Sequence, residues 1–327
     1  MRIAVAGSIA TDHLMVFPGR FAEQLIAEAV ERVSLSFLAD RLEVREGGVG
    51  ANICVGLGRL GIRPVLVGAA GIDFAGYGNR LRRSGVDIES VRVSETLHTA
   101  RFVCTTDEDQ NQIATVYAGA MAEARQIDLA EVHRRVGGLD LVVIGADDPD
   151  AMLRHTATAH TLGVRVAADP SQQLARLDED QTRQLIDGAH LLFTNEYEQA
   201  LLLERTGWTR EEVLSRVGAW LVTRGADGVS ILVAGREQQD VPAVSTDHAV
   251  DPTGVGDAFR AGFLAGLAWK LPYDRAAQIG CALATVVIET VGTQEYKLLP
   301  TDLLTRIDHA YGHVAALAIG SRLADAS

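Results

Sequence analysis

The residues best suited to chemistry lie in the segment 251–257, whose sequence Asp-Pro-Thr-Gly-Val-Gly-Asp leads directly into an apolar run of small residues. If a helix begins here, the amides of Gly254, Val255 and Gly256 point outward with the positive end of the helix dipole and can hold phosphoryl oxygens. Asp257, in the first turn, can then accept a proton from an alcohol. The segment indicates phosphoryl transfer to a hydroxyl group, which requires mainly positioning and charge stabilisation. The alternative is that Asp257 only caps a helix and the glycines only turn the chain.

A second glycine-rich segment, 47–52, reads Gly-Gly-Val-Gly-Ala-Asn and also opens a run of small residues. Its glycines let a ligand approach the backbone closely. Asn52 offers one acceptor and two donors, which suits the neighbouring hydroxyls of a sugar. Asp12, shortly after the first predicted strand, can accept hydrogen bonds from the same hydroxyls. Taken alone, either residue is readily explained as an ordinary turn or cap residue.

Two further polar segments follow predicted strands. Asn195 and Glu198 come after the strand 191–194 and share a helix face, so they could hold magnesium through water. Their alternative is a helix N-cap with acidic residues in the first turn. The segment 223–228, Thr-Arg-Gly-Ala-Asp-Gly, follows the strand 220–222 and offers a polar, flexible wall over the phosphates of ATP. It is equally well explained as a plain turn.

The chain lacks the motifs of several other classes of enzyme. It has two lysines, Lys270 and Lys297, and neither lies in a glycine loop, so a P-loop nucleotide site is excluded. The string Gly-Leu-Gly-Arg-Leu-Gly at 56–61 matches the dinucleotide fingerprint, but it closes a predicted helix instead of opening one. No H-E-x-x-H or G-x-S-x-G motif occurs, which argues against a zinc enzyme and a serine hydrolase.

Composition limits the partners and the location of the protein. The formal net charge of −13 over 327 residues would repel nucleic acid and anionic membranes. Cys54, Cys104 and Cys281 are widely spaced and form no C-x-x-C pair, so free buried thiols are expected. The sequence contains no signal-peptide pattern and no run long enough to span a membrane. We therefore expect a cytoplasmic protein with no nucleic-acid or membrane partner.

Short β-branched runs alternate with helical patterns along most of the chain. This alternation predicts βαβ units in a doubly wound, mainly parallel α/β sheet flanked by helices. In such sheets, ligands bind at the carboxyl ends of the strands. Residues 229–233 and 239–241 predict a hairpin. The predicted buried strands are 3–6, 65–67, 141–144, 164–167 and 191–194.

Two stretches with extended, alternating patterns, about 14–44 and 98–117, interrupt this rhythm, and parts of the first look helical. We expect them to combine into one small β-sheet lid. An exposed lid sheet often finds a partner, which predicts a homodimer through the lid. The predicted lid domain comprises 11–45 and 96–118, and the predicted large nucleotide-binding catalytic domain comprises 1–10, 46–95 and 119–327.

The chain resembles the ribokinase-like, or PfkB, kinases from Gly7 to about Gly292, because four motifs occur in that family's order. The resemblance implies an ATP-dependent kinase with Mg²⁺ as cofactor and Asp257 as its catalytic base. Val255 replaces the alanine usual in the family, but the backbone amide is retained. The four motifs are Asp12, Gly47-Gly48 with Asn52, Asn195-x-x-Glu198, and 251–257.

The same resemblance assigns roles to individual residues. Gly254, Val255 and Gly256 form the anion hole. Glu198 and Asn195 belong to the magnesium and phosphate network, and Asp251 belongs to a site for a monovalent cation such as K⁺. The ATP site is assigned to Asn195, Thr223, Gly225 and Gly228.

Within the family, the chain resembles bacterial adenosine kinases in the segments 7–13, 105–109, 169–173 and 289–295. This implies phosphorylation of a ribonucleoside at the 5′-hydroxyl, with adenosine converted to AMP. Val116 stands where those kinases place an aromatic residue against the purine, so another nucleoside, ribose or a hexose derivative is an alternative acceptor. A non-catalytic nucleoside sensor is the second alternative. The resemblance assigns the ribose to Ser8, Asp12, Gly48 and Asn52, and the base to Phe102, Gln172, Gln173 and Arg176.

Overall fold

The structure is a computed structural model, and it describes residues 1–24 and 36–326. Within those residues, thirteen strands form two sheets. The strands are β1 (Ile3–Ala6), β2 (Ala10–Val16), β3 (Arg41–Gly47), β4 (Val65–Ala70), β5 (Val91–Val93), β6 (Ala100–Thr106), β7 (Gln112–Tyr117), β8 (Leu141–Ile144), β9 (Arg165–Ala168), β10 (Leu191–Asn195), β11 (Ala219–Thr223), β12 (Val229–Leu232) and β13 (Gln239–Val241).

Helices connect most of these strands, and short 3₁₀ segments cover Gly119–Gln126, Ser171–Ala175 and Gly225–Asp227. No helix in the described part of the chain is long and apolar enough to cross a membrane. The α-helices are α1 (Phe21–Gln24), α2 (Val49–Arg59), α3 (Ala75–Arg83), α4 (Leu129–Arg135), α5 (Pro149–Thr161), α6 (Glu179–Ile186), α7 (Glu196–Thr206), α8 (Arg210–Arg216), α9 (Val255–Ala268), α10 (Tyr273–Ile288), α11 (Pro300–Tyr311) and α12 (His313–Ala326).

The large sheet has the strand order β13-β12-β11-β10-β9-β8-β1-β4-β5. All neighbours from β11 to β5 run parallel, whereas β12 pairs antiparallel with both β11 and β13. This confirms the predicted doubly wound, mainly parallel sheet and its terminal hairpin. The predicted strands are present, with boundaries that move by a few residues at most.

Helices bury both faces of this sheet, and β1 illustrates how. Ile3 and Val5 lie in one core, with side chains from α2, α9 and α10. Ala4 and Ala6 point the other way, into a second core with side chains from α5, α6 and α7. Because neither face meets water, the strand shows no alternation of polar and apolar residues.

The small sheet has the order β3-β2-β6-β7 and draws its strands from both interruptions of the βαβ pattern. Strand β2 pairs antiparallel with β3 and parallel with β6, and β6 pairs antiparallel with β7. The prediction of one small separate sheet is thereby confirmed. Of the helical parts predicted in the first interruption, those within 25–35 lie outside the described residues. The exact domain boundaries stay a prediction.

The glycine string at 56–61 lies in the last turns of α2 and in the turn that leads to β4. A Cβ on Gly56 would lie 2.5 Å from the Cβ of Ala261 in α9, so this glycine allows two helices to pack closely. The string therefore ends a helix, as predicted, and does not open one as the dinucleotide fingerprint requires.

Candidate active site

The predicted site residues gather at one edge of the large sheet, where its parallel strands end. Ser8 follows β1, Asn195 ends β10 and Thr223 ends β11. The first turns of α2 and α9 carry the two glycine-rich segments, and these helices pack against each other. This is the edge at which doubly wound sheets bind their ligands.

A turn at Gly254 starts α9. Gly254 has φ +77°, and a Cβ there would lie 2.9 Å from both Cβ and Cγ2 of Thr293, so only glycine fits without strain. Amides in the first turn of a helix have no partner within the helix. The amide of Val255 makes a long contact of 3.4 Å with the carbonyl of Pro252. The turn can therefore hold an anion with backbone amides.

Asp257 lies in the first turn of α9 and is partly exposed to solvent. Its Oδ2 accepts a hydrogen bond of 2.8 Å from Nδ2 of Asn52 in α2. Burial raises the pKa of Asp257 to about 7, while Asn52 and Arg260 favour the ionised form. A carboxylate that titrates near neutral pH suits a general base.

Asn52 has three side-chain partners within the protein. Besides Asp257, its Oδ1 accepts from Thr293 Oγ1 at 3.0 Å and from Gln294 Nε2 at 2.8 Å. Thr293 and Gln294 come from the loop after α10 and received no role from the sequence. The predicted contact between Asn52 and substrate hydroxyls stays a prediction.

Arg260 and Asp169 are further site residues that sequence reasoning missed. They form a buried ion pair, and Arg260 Nη1 also donates to the carbonyl of Gly256 over 3.0 Å. The sequence pattern could have identified Arg260, because it is a charged residue inside an otherwise apolar helix. A buried charge requires a partner, so an acidic residue was to be expected nearby. The pair stabilises the turn that carries Asp257.

Gly48 and Ser8 join the β1–β2 connection to the start of α2. Gly48 has φ +98°, and a Cβ there would lie 2.5 Å from the carbonyl oxygen of Ser8. Ser8 Oγ accepts from the amide of Val49 at 3.1 Å, and Ser8 is nearly buried. Because Ser8 can still donate its own proton, its predicted contact with a sugar hydroxyl is compatible with this geometry.

One row of side chains crosses the lid sheet. The register pairs Asp12 of β2 with Arg45 of β3 and Phe102 of β6, and it pairs Phe102 with Val116 of β7. Directly paired residues point to the same face, so the predicted ribose and base residues of the lid lie together. Burial raises the pKa of Asp12, against the opposing effect of Arg45.

The other residues predicted to bind the nucleoside base lie in the segment 171–176, partly at the surface and partly in the interior. Gln172 and Arg176 are exposed, while Gln173 is buried. Gln173 Nε2 donates to the carbonyl of Asp147 at 2.7 Å, and its Oε1 is buried without a partner among the described residues. One acceptor is thus left over at Gln173. Ser171, at φ +48°, holds a backbone conformation that is rare outside glycine.

Asn195 and Glu198 form a reciprocal capping box at the start of α7, the alternative considered from sequence. Asn195 Oδ1 accepts from the amide of Glu198 at 2.7 Å, and Glu198 Oε2 accepts from the amide of Asn195 at 2.8 Å. Glu198 Oε1, 3.5 Å from Ser171 Oγ, has lone pairs to spare. No group of three or more potential metal-ligating side chains occurs among the residues described. The spare lone pairs of Glu198 suit Mg²⁺, which commonly uses one carboxylate, waters and substrate phosphates.

The segment 223–228 turns from β11 into β12. Thr223 Oγ1 lies 3.4 Å from the carbonyl of Thr194, and Gly225 faces open space. Gly228 packs against the end of β13, since a Cβ there would lie 2.1 Å from the carbonyl oxygen of Val241. The geometry leaves Thr223 and Gly225 accessible for a nucleotide and explains Gly228 by packing.

Asp251 has protein partners on both carboxylate oxygens. Oδ1 accepts from the amide of Thr253 and Oδ2 from the amide of Gly292, each at 2.9 Å. Burial acts to raise its pKa, but these hydrogen bonds outweigh burial and the pKa is lowered. Arg45 Nη1 lies 3.6 Å from Oδ2. A K⁺ ion would share Asp251 with a guanidinium, so these residues do not favour the predicted cation site.

Comparisons with known proteins identify relatives of this chain. The nucleoside kinase of Methanocaldococcus jannaschii is 29% identical over 250 residues, which are 76% of this chain and 80% of that protein. The ATP-dependent ribose-1-phosphate kinase of Halopiger xanaduensis is 31% identical over 261 residues, 78% of this chain and 83% of that protein. The structure of Burkholderia thailandensis nucleoside kinase in complex with ADP-inosine is 32% identical, covers 95% of this chain and 96% of its own, and has a TM-score of 0.81.

The family pattern of the pfkB family carbohydrate kinases matches residues 8–302. That span includes both glycine-rich turns, the lid strands and the Asp257 turn. The chain therefore belongs to the pfkB family of carbohydrate kinases, phosphotransferases that act on hydroxyl groups.

Proposed function

We propose that this protein is an ATP-dependent kinase that phosphorylates the 5′-hydroxyl of a ribonucleoside, with adenosine as the first candidate. The products would be AMP and ADP, as in a purine-salvage reaction. The observation that carries this proposal is Asp257, whose carboxylate is held by Asn52 in the first turn of α9, beside backbone amides able to bind phosphate.

The reaction follows from this arrangement. Asp257 takes the proton of the 5′-hydroxyl as that oxygen attacks the γ-phosphorus of ATP in line with the departing ADP oxygen. One O–P bond forms and one breaks, and Asp257 later releases its proton to solvent. The amides of Gly254, Val255 and Gly256 stabilise the charge on the transferred phosphoryl oxygens. Closure of the lid sheet would exclude water and limit hydrolysis of ATP.

Magnesium is the proposed cofactor. Glu198 would hold it, with Asn195 contributing through water, as the spare oxygen Oε1 of Glu198 permits. When bound with ATP, the ion supplies positive charge that neutralises the phosphates. Thr223 and Gly225, at the end of β11, are the residues proposed to contact the nucleotide.

The acceptor is the finer part of the proposal. Two relatives are named as nucleoside kinases, and the Burkholderia thailandensis structure holds ADP-inosine, which supports a nucleoside acceptor and an adenine nucleotide donor. Val116 is 74% exposed and supplies no aromatic surface. Another nucleoside, ribose or a hexose derivative is therefore the second candidate for the acceptor.

A panel of acceptors tests this proposal. The wild-type protein would be incubated with ATP, Mg²⁺ and one of adenosine, inosine, cytidine, ribose or fructose, and ADP release and phosphorylated product would be measured. We expect the highest kcat/KM for adenosine. Turnover of inosine or cytidine alone would replace adenosine as the assigned acceptor. Turnover of free sugars alone would overturn the assignment of a nucleoside acceptor. Binding of nucleosides without turnover across the panel would favour a sensor.

A homodimer through the lid is proposed as well. Leu42, Val44 and Ile113 lie on the face of the lid sheet opposite Asp12, and they are 46–58% exposed in the described part of the chain. A second copy packed on this face would bury them. Light scattering of Val44→Glu against wild type tests the dimer: we expect a monomeric variant and a dimeric wild type. A monomeric wild type would contradict it.

A further inference from the structure

The side-chain amide of Asn52 lies between Asp257 and the loop after α10. Its nitrogen donates to Asp257, and its oxygen accepts from both Thr293 and Gln294. The two ends of an amide are chemically opposite, because the nitrogen only donates and the oxygen only accepts. Donors at the oxygen therefore determine that the nitrogen, and not the oxygen, faces the carboxylate.

Gln294 is itself held in place from several sides. Its Nε2 also donates to Tyr77 Oη at 2.7 Å, and Tyr77 donates to the carbonyl of Gly47 at 2.8 Å. The backbone carbonyl of Gln294 accepts from Arg59 Nη2 at 2.6 Å, and the Arg59 guanidinium lies 4.0 Å from the centroid of the Tyr296 ring. Gln294 cannot follow a rotation of Asn52 without breaking these contacts.

The charges around Asp257 explain why this orientation matters. Burial is the largest effect, and it raises the pKa of Asp257; Asp169, directly after β9, and Glu198 in α7 raise it further. Asn52 and Arg260 act in the opposite direction. If Asn52 turned its oxygen toward Asp257, a favourable hydrogen bond would be replaced by repulsion between two acceptors.

We propose that Gln294, assisted by Thr293, is a positioning residue that holds the Asn52 amide nitrogen toward Asp257 and thereby keeps the base ionised and oriented. Gln294 does not contact the reacting atoms and acts through Asn52. The inference rests on the proposed role of Asp257 as the base.

Two substitutions at position 294 test this role. Gln294→Glu keeps the size of the side chain but places an acceptor against Asn52 Oδ1, and Gln294→Met removes the donor without adding charge. In both, the acidic limb of the kcat/KM profile should move to higher pH, with a loss of about tenfold or more at about pH 6 and recovery at about pH 9. The matched controls Gln184→Glu and Gln184→Met make the same two changes at an exposed glutamine in α6 and should retain the wild-type profile.

A carboxyl titration followed by ¹³C NMR in the absence of substrate provides a second readout, with Asp257→Asn used for assignment. An upward shift of the Asp257 pKa in both Gln294 variants, with both Gln184 variants like wild type, supports the inference. An unchanged pKa in Gln294→Met overturns it, even if the rate falls, because the loss would then come from damage to the fold or from added charge. Should Asp257→Asn keep wild-type turnover, the proposed base fails, and the titration still decides the role of Gln294.

Discussion

Arg260 and Asp169 form a bidentate ion pair, with Nε to Oδ2 at 2.5 Å and Nη2 to Oδ1 at 2.6 Å, and both side chains are almost fully buried. The same guanidinium donates to the Gly256 carbonyl and lies 5.6 Å from the centroid of the Phe193 ring. It therefore ties the first turn of α9 to the ends of β9 and β10. The position of Asp257 depends on this pair, because Asp257 directly follows Gly256.

Breaking the pair should destabilise the fold. Arg260→Met would leave the Asp169 carboxylate buried without its partner, and we expect the free energy of unfolding to fall by about 3–5 kcal/mol. Urea unfolding measures this change. Combining Arg260→Met with Asp169→Leu should recover much of the loss, since neither charge is then left alone.

An exposed pair provides the control for that experiment. Glu131 and Arg134 lie 3.2 Å apart with both side chains largely in solvent. Glu131→Gln should change stability by no more than about 1 kcal/mol. Equal effects of Arg260→Met and Glu131→Gln would contradict a special role for the buried pair.

The raised pKa of Asp257 predicts a cost in stability that depends on pH. In the unfolded chain the carboxyl has its ordinary pKa of 3.8, whereas in the folded protein it keeps its proton up to about pH 7. Wild-type stability is therefore lost as the pH rises between these values. Asp257→Asn, which does not titrate, should be more stable than wild type at about pH 8, with a smaller difference at about pH 4. Thermal unfolding at both pH values checks this, and a difference that is larger at the acidic pH would refute it.

We predict that replacing Val116 in the lid sheet by phenylalanine increases the affinity for adenosine. Phenylalanine there would lie beside Phe102 on the face of the lid sheet that carries Asp12, and stacking on a base contributes roughly 1–3 kcal/mol. We expect Val116→Phe to lower KM for adenosine by at least about fivefold, with no change for free ribose. Ile113→Phe, on the opposite face of the same strand, is the control. A similar gain from both substitutions would argue against a base contact at 116.

Gly254→Ala should disable the anion-binding turn. The positive φ and the 2.9 Å approach to Thr293 leave no room for a Cβ, so the turn must shift away from the phosphate site. We expect kcat to fall by about 100-fold or more, as for loss of an oxyanion-hole donor. Gly76→Ala in α3, where a Cβ would meet nothing within 4 Å, should keep full activity. Steady-state kinetics decide, and an active Gly254→Ala enzyme would contradict the role of this turn.

Patterns local in sequence predicted the fold and much of the site. Runs such as 3–6 identified strands because both faces of the sheet are buried, and glycine-rich helix starts identified the Gly254 turn. Partnerships between distant residues were not predictable: Asn52 and Asp257 are 205 positions apart, and Thr293 and Gln294 complete their network from a third segment. At Asn195 and Glu198, one pattern fitted both a metal site and a capping box, since both need a polar pair at a helix start.

Substrate-dependent ADP release by Asp257→Asn, at saturating ATP and adenosine, tests the proposed chemistry most directly. The control is Asp302→Asn, which alters an exposed carboxylate in the first turn of α11. We predict that kcat of Asp257→Asn falls by about 100-fold or more, as expected for loss of a general base, while Asp302→Asn stays at the wild-type rate. A rate for Asp257→Asn equal to that of Asp302→Asn would contradict the assignment of Asp257 as the catalytic base.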